Sequence, residues 1–360
     1  MGGIWCKICR KQLGNRGWLI VDGGWTSLKD VLAANLIYIY LGKKYKPQLP
    51  EIGRLVFQAR PSTIYYQPST KMFEPTTKSA LRDLLEKKVK QYNQPSFIPT
   101  DPISVPHRFS KKQDIEIAGL FAAVFAWGNR TTIIRKSNEL MELMDEAPHD
   151  FVLNHRPRDL KKLLQFRHRT FNSTDLIYFI RYLQSHYQEN ESLEPAFISN
   201  ESSEAVSIAA ASGSSETSLT SSKTPLIASA PGKDQMKNGL SSFYTRFFSL
   251  EDAPRRTQKH IATPQKNAAC KRLNMYLRWM VRQDKNGVDF GLWKKISPAD
   301  LICPVDLHVA RVAKRFGLIS RNQTDWITAM ELTEALREMD QKDPVKFDFA
   351  LFGLGVFEKY

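Results

Sequence analysis

Two short stretches hold side chains that could do chemistry together. "TPQKNAACKRLNMYLRWMVR", residues 263–282, places Lys271 in the first turns of a helix beside Arg272, and "CPVDLHVARVAKRFGL", residues 303–318, places Asp306 just ahead of a second helix. A neighbouring cation and partial burial both disfavour the ammonium form of a lysine, leaving a neutral amine that can act as a nucleophile. Asp306 stands where free backbone N–H groups and the helix dipole favour an anion. It could cap its helix, act on positive charge held nearby, or do both. Taken singly, each residue has a plainer explanation: a solvated helical lysine and a capping aspartate.

The elements that must carry these two residues are helical. In the second stretch Val309, Val312, Ala313 and Phe316 fall on one side, His308, Arg311, Lys314 and Arg315 fall toward the other, and Gly317 ends the helix. In the first, the spacing predicts that Leu273, Tyr276, Leu277 and Met280 are buried while Lys271, Arg272, Arg278 and Arg282 are exposed. "DIEIAGLFAAVFAW" (114–127) is nearly all apolar after an acidic first turn, which predicts a central helix opened by Asp114. Helical spacing also marks "TKSALRDLLEKKVKQY", "TIIRKSNELMELM", "DLKKLLQF", "STDLIYFIRYLQSHY", "PADLICPVDLHVARVAKRFG" and "QTDWITAMELTEALREM". The expected class is all-α. "DPISVPHRF" (101–109) brings Asp101, His107 and Arg108 close together; metal or acid–base work is conceivable there, and a turn with a stacked histidine is the plainer reading. Trp279 and Trp293 could stack on a planar ligand, but tryptophans in such helices usually fill core.

Composition bounds the partners. A chain of 360 residues with formal net charge +15 and pI near 9.6 favours a polyanion, because each cation placed near a phosphate releases counterions. Nucleic acid is the first candidate, and double-stranded DNA is the partner that the resemblance described below implies. The longest apolar run, "VLAANLIYIYLG" at 31–42, is too short to span a bilayer, so the expectation is a cytoplasmic, nucleoid-associated monomer. Cys6 and Cys9 form a lone CxxC without a second pair, so neither a metal nor another cofactor is expected. Residues 199–229 contain fourteen Ser or Thr and Lys223 as the only base, which reads as a flexible insertion. The expected organisation is an N-terminal extension of uncertain character at 1–70, a first helical part at 71–198, the insertion at 199–235, and a second helical part at 236–360.

Together the two stretches resemble the helix-hairpin-helix DNA glycosylases, typified by endonuclease III, 8-oxoguanine glycosylase and the archaeal GO glycosylase. In that family a hairpin L-P-G-V-G-x-K-T-A carries the lysine nucleophile and a later V-D-T-H-V-x-R-V carries the aspartate. "TPQKNAACKRLNMYL" sets Lys271 on the family lysine, and "PVDLHVARV" sets Asp306 on the aspartate, with Val305, His308, Arg311 and Val312 also matching. "IAGLFAAVFAWGNRTTIIRKSNELME" is similar to the family's first core helix and the loop that fills the gap left by an extruded nucleotide, here Asn129 and Arg130. "FRHRTFNSTDLIYFIRYL" and "KFDFALFGLG" are similar to later core segments, and the whole pattern looks closest to a bacterial family labelled only as a domain of unknown function. The resemblance implies base excision, with an imine at Lys271, electrostatic help from Asp306, and DNA contacts from Asn129, Arg130, Arg272, Arg278, His308, Arg311, Lys314 and Arg315. The hairpin departs from the family in lacking both glycines, which favours a rival: the same fold binding DNA without catalysis. A third possibility is a basic regulator whose "DLHVARVAKRFGL" helix simply enters a groove.

Overall fold

A computed structural model describes the backbone of residues 18–21 and 24–27, and residues 77–199 and 233–360. The Cys6–Cys9 pair, the apolar run at 31–42 and residues 200–232 of the Ser-rich stretch lie outside the described residues. The chain divides into two units, Met1–Lys71 and Met72–Tyr360. In the first, β1 (Trp18–Val21) pairs antiparallel with β2 (Gly24–Ser27), Trp18 opposite Ser27.

The second unit is mostly helical. Its helices are α1 (Lys78–Tyr92), α2 (Lys112–Phe125), α3 (Arg130–Leu143), α4 (Pro148–Asn154), α5 (Ser173–Glu189), α6 (Lys233–Phe247), α7 (Lys271–Val281), α8 (Leu307–Arg315), α9 (Trp326–Arg337) and α10 (Asp348–Val356), with short 3₁₀ turns between them. Helix α6 begins within the stretch assigned to the insertion. "DLKKLLQF" is a single α turn followed by a 3₁₀ turn, and of "PADLICPVDLHVARVAKRFG" only Leu307–Arg315 is α-helix.

Helix α2 is buried along almost its whole length, as its apolar run requires. It packs against α3, α4 and α7, and Gly119 lets α7 approach: a Cβ there would lie 3.1 Å from Met280 and 3.2 Å from the Tyr276 ring. The cap differs from expectation. Lys111 precedes the helix, and Asp114 instead accepts the His149 N–H at 2.8 Å, spending its carboxylate on the start of α4. Helix α10 packs against both α1 and α8. The "FGLG" glycines permit this, since a Cβ on Gly353 would collide with the Tyr92 ring and one on Gly355 would lie 3.0 Å from the His308 carbonyl oxygen.

A buried carboxyl anchors the centre. Glu116 of α2 accepts from Tyr187 Oη at 2.9 Å, Ser192 Oγ at 2.6 Å, Leu193 N at 3.1 Å and Trp293 Nε1 at 2.6 Å. Trp293 belongs to the long connection from α7 to α8, so this group holds the returning chain against the central helix. Glu116→Ala would strand four donors in the core and is expected to lower the unfolding free energy by roughly 3–5 kcal/mol. Urea denaturation reads this directly, and a loss below about 1 kcal/mol would remove Glu116 from the anchoring role.

Candidate active site

Lys271 is the first residue of α7, and the turn that delivers it is strained. Thr263 caps a 3₁₀ turn at Pro264–Lys266, after which Asn267 (φ 53°) and Cys270 (φ 51°) take the left-handed backbone that glycine adopts freely. A non-glycine side chain held there costs of order 1 kcal/mol, so the surroundings must hold it. They do so by tying the turn to the start of α9: Asn267 Nδ2 donates to Asp325 Oδ2 at 3.1 Å, and Trp326 N donates to the Asn267 carbonyl at 3.2 Å. Cys270 is buried, which pushes its thiol up to about 12 and leaves it an inert core group.

The thirty-five positions from Lys271 to Asp306 are folded back on themselves. Phe290 N donates to the Trp279 carbonyl at 2.8 Å and Trp293 N to that of Met280 at 2.9 Å, running the connection beside the end of α7. Gly291 (φ 59°) makes this possible, because a Cβ there would strike the Gln283 side chain. Asp306 then caps α8, with Oδ1 accepting from His308 N and Val309 N at 2.9 Å each. Its Oδ2 faces Lys271 Nζ at 3.9 Å. The aspartate therefore acts both as cap and as charge. The two side chains are 28% and 24% exposed, enough to be reached from solvent and too little to be freely hydrated.

Both line a narrow cavity of about 30 Å³ with Phe97, Asp101, Met275, Arg278, Asp348, Phe349 and Phe352 among its walls. That is room for a water or two, so a larger ligand enters only as lining side chains rotate. Two roomier clefts, of about 710 and 690 Å³, lie elsewhere; the second is lined by Arg130, whose guanidinium sits 5.0 Å from the centre of the Phe352 ring, a wall of the narrow cavity. The second cleft has no lysine among its walls, and the first has Lys295 together with Glu189. Among the described residues no cluster of three or more His, Cys, Asp or Glu side chains is arranged to hold a metal ion.

Asp101 and Asp348 also line the cavity, and the residue pattern along the chain does not bring them to Lys271 and Asp306. Asp101 is buried and accepts from Ile103 N at 3.1 Å; burial raises its pKa against the pull of that bond and of Arg278, Arg130 and Lys271. Asp348 is pushed up to about 6, first by burial and further by the Asp306 charge, with Arg278 and Lys271 opposing. A signal for Asp348 was present: an aspartate between phenylalanines in an otherwise apolar helix is a buried polar group that needs a partner.

That partner is Arg278, and the expectation that its side chain is exposed is overturned. Arg278 is 4% exposed; its Nε meets Asp289 Oδ1 at 3.3 Å and its Nη1 donates to Asp348 Oδ2. Arg282 is likewise buried among Asp284, Asp289 and Asp343 at 2.8–3.0 Å. Arg278 lies on α7 and Arg282 caps its end, and their surroundings leave no open basic face at either position. Arg272 donates to the Val124 carbonyl at 2.6 Å and the Lys259 carbonyl at 3.3 Å, and Arg311 donates to the Tyr360 and Gly355 carbonyls at 2.7 and 2.8 Å. These cations are engaged within the protein. Asn129 caps α3, accepting from Thr132 N at 3.1 Å. His308, Lys314 and Arg315 are exposed on α8, Lys314 donating to Asn322 and Arg315 lying 4.8 Å from the Tyr360 ring centre. His107 stacks on Phe290 at 4.3 Å with Nε2 against the Val288 carbonyl, the plainer of its two readings, and Trp279 and Trp293 are core.

Fold and site together define a mostly helical domain in which one amine and three carboxyl groups line a single narrow cavity. Residues 101–357 match the family described as Protein of unknown function (DUF2400), and the chain belongs to that family. No curated protein and no solved structure matches the chain. Of the cavity residues named above, only Phe97 lies outside the matched span.

The split role of Asp306 gives a stability test. Asp306→Asn keeps an oxygen for the two backbone N–H groups and is expected to cost only a few tenths of a kcal/mol, whereas Asp306→Ala loses the cap at about 1 kcal/mol. Equal losses in urea denaturation would mean that the charge, not the cap, stabilises α8.

Proposed function

We propose that the protein is a DNA base-excision glycosylase that also cleaves the strand, working through an imine formed at Lys271. The observation that carries this is the 3.9 Å approach of Lys271 and Asp306 from segments remote in the chain, both of which resemble the nucleophile and aspartate segments of the helix-hairpin-helix glycosylases. The basic charge of the chain and the phenylalanines lining the cavity suit a DNA substrate and a planar base.

The chemistry follows from the residues. A base inside a duplex is out of reach, so it must be extruded, at a cost of a few kcal/mol that is smaller for a damaged or mismatched base. Breaking the N-glycosidic bond builds positive charge on the sugar, which the Asp306 carboxylate stabilises. The Lys271 nitrogen bonds to C1′ as the base leaves; ring opening then gives an imine, from which β-elimination cuts the strand. Aspartate and lysine at this separation can serve one sugar-sized group. The small volume of the cavity favours one rival, a protein that binds distorted DNA without chemistry.

The test uses duplexes bearing 8-oxoguanine, uracil or an abasic site, with borohydride added to trap an imine. Wild-type protein is expected to form a covalent adduct that Lys271→Ala abolishes and Asp306→Asn slows by about 10²–10³-fold. Tight binding with no adduct and no released base would establish the binding protein instead.

A further inference from the structure

Lys271 and Asp306 leave one task of a glycosylase without an agent: the departing base carries away the bonding electron pair and needs a proton. Asp348 lies in the right place. It opens α10, is 5% exposed, and lines the same cavity as the lysine and the first aspartate. Phe97, Phe349 and Phe352 line that cavity with it, and flat apolar rings of this kind accept a planar heterocycle.

The charge balance around Asp348 explains how it can hold a proton there. Two guanidinium groups, Arg278 and Arg282, face four carboxyl groups, those of Asp284, Asp289, Asp343 and Asp348. Arg278 divides its charge between Asp289 and Asp348, and Asp101 draws on it as well. From α8, Asp306 adds a further negative charge, while Lys271 of α7 supplies the remaining positive one; the buried thiol of Cys303 completes the titratable groups that feel Asp348. A buried cluster with more acids than bases lowers its energy by keeping a proton on one of the acids. Burial and the Asp306 charge select Asp348, holding it at about 6. Asp306 is less suited, since its Oδ1 is taken by two backbone N–H groups.

We propose that Asp348 is the general acid of this cavity, protonating the departing base, so that the preferred substrate is a planar nitrogen heterocycle expelled as a neutral molecule. This rests on the glycosylase reading. The Lys271 ammonium first gives a proton to water, and the lone pair so freed forms the bond to C1′. The C1′–N bond breaks with its electron pair remaining on the base, and the Asp348 O–H proton passes to a ring nitrogen conjugated with that pair. Asp348 is left as a carboxylate held by Arg278 and regains its proton from water. No oxidant or reductant is required.

An abasic site has no base left to expel, and this separates the acid from the nucleophile. Asp348→Asn weakens the Arg278 anchor as well as removing the acid, so it is expected to slow imine trapping on the abasic duplex somewhat and base release from the 8-oxoguanine or uracil duplex about 10²-fold more than that, with Asp348→Glu recovering part of the loss. In wild-type protein the ratio of base release to trapping should fall as pH rises through about 6, because the acid form of Asp348 is present below that value and lost above it. In Asp348→Asn that dependence should vanish. Equal losses on both substrates, unchanged base release, or a wild-type ratio that is flat with pH would each overturn the acid role. If wild-type protein traps the abasic duplex but releases no base, the acid role fails and the lysine chemistry stands. If it does neither, both proposals fall.

Discussion

A buried guanidinium must be met by carboxylates, and meeting Arg278 fixes how three parts of the chain come together. Removing one partner of such a pair would leave an uncompensated charge in the core, a penalty of several kcal/mol. Arg278 on α7 takes Asp289 from the returning connection and Asp348 from α10, while Arg282, one turn on, takes Asp284, Asp289 and Asp343. The Arg278 guanidinium also lies 4.2 Å from the Phe349 ring centre. With α7 and α10 locked in this way, and α10 crossing α8 closely at Gly355, the start of α8 has little freedom to move from the start of α7. The meeting of Lys271 and Asp306 is a consequence of this buried network.

The same network sets the electrostatics of the cavity. Burial raises Asp101, Asp343 and Asp348 beyond what the neighbouring cations offset. Stability is given up for this: a carboxyl whose folded pKa is raised favours folding less once the pH climbs above its unfolded value. Two left-handed non-glycine residues in the turn before Lys271 add local strain at the same place. Strain and unfavourable charge concentrated around one cavity are what a site kept for chemistry looks like.

Much of the fold was legible in the sequence because helical spacing reports burial directly. The face of α8 with Val309, Val312 and Ala313 buried, the buried run of α2, and the cap at Asp306 all follow from local pattern. Local pattern failed where a charged residue is buried through partners distant in sequence. Arg278 and Arg282 sit at positions that spacing assigns to solvent, and only Asp289, Asp343 and Asp348 make their burial tolerable. Asp114 was misplaced for the same reason, as its partner is His149 of α4 rather than its own helix end. Lys271 and Asp306 stood out because their segments carry recognisable neighbours. Asp101 drew notice only beside His107 and Arg108, and Asp348 lies in an apolar helix; three-dimensional proximity brings both into the cavity.

The central claim is that one particular amine, set beside one particular carboxylate, forms the bond to the sugar. Mass spectrometry of peptides from wild-type protein, reduced with borohydride in the presence of an abasic-site duplex, locates that bond without any substitution. The expected result is a sugar remnant on the peptide containing Lys271 and on no other. A remnant on Lys259, Lys266 or any other amine, with Lys271 unmodified, would contradict the account.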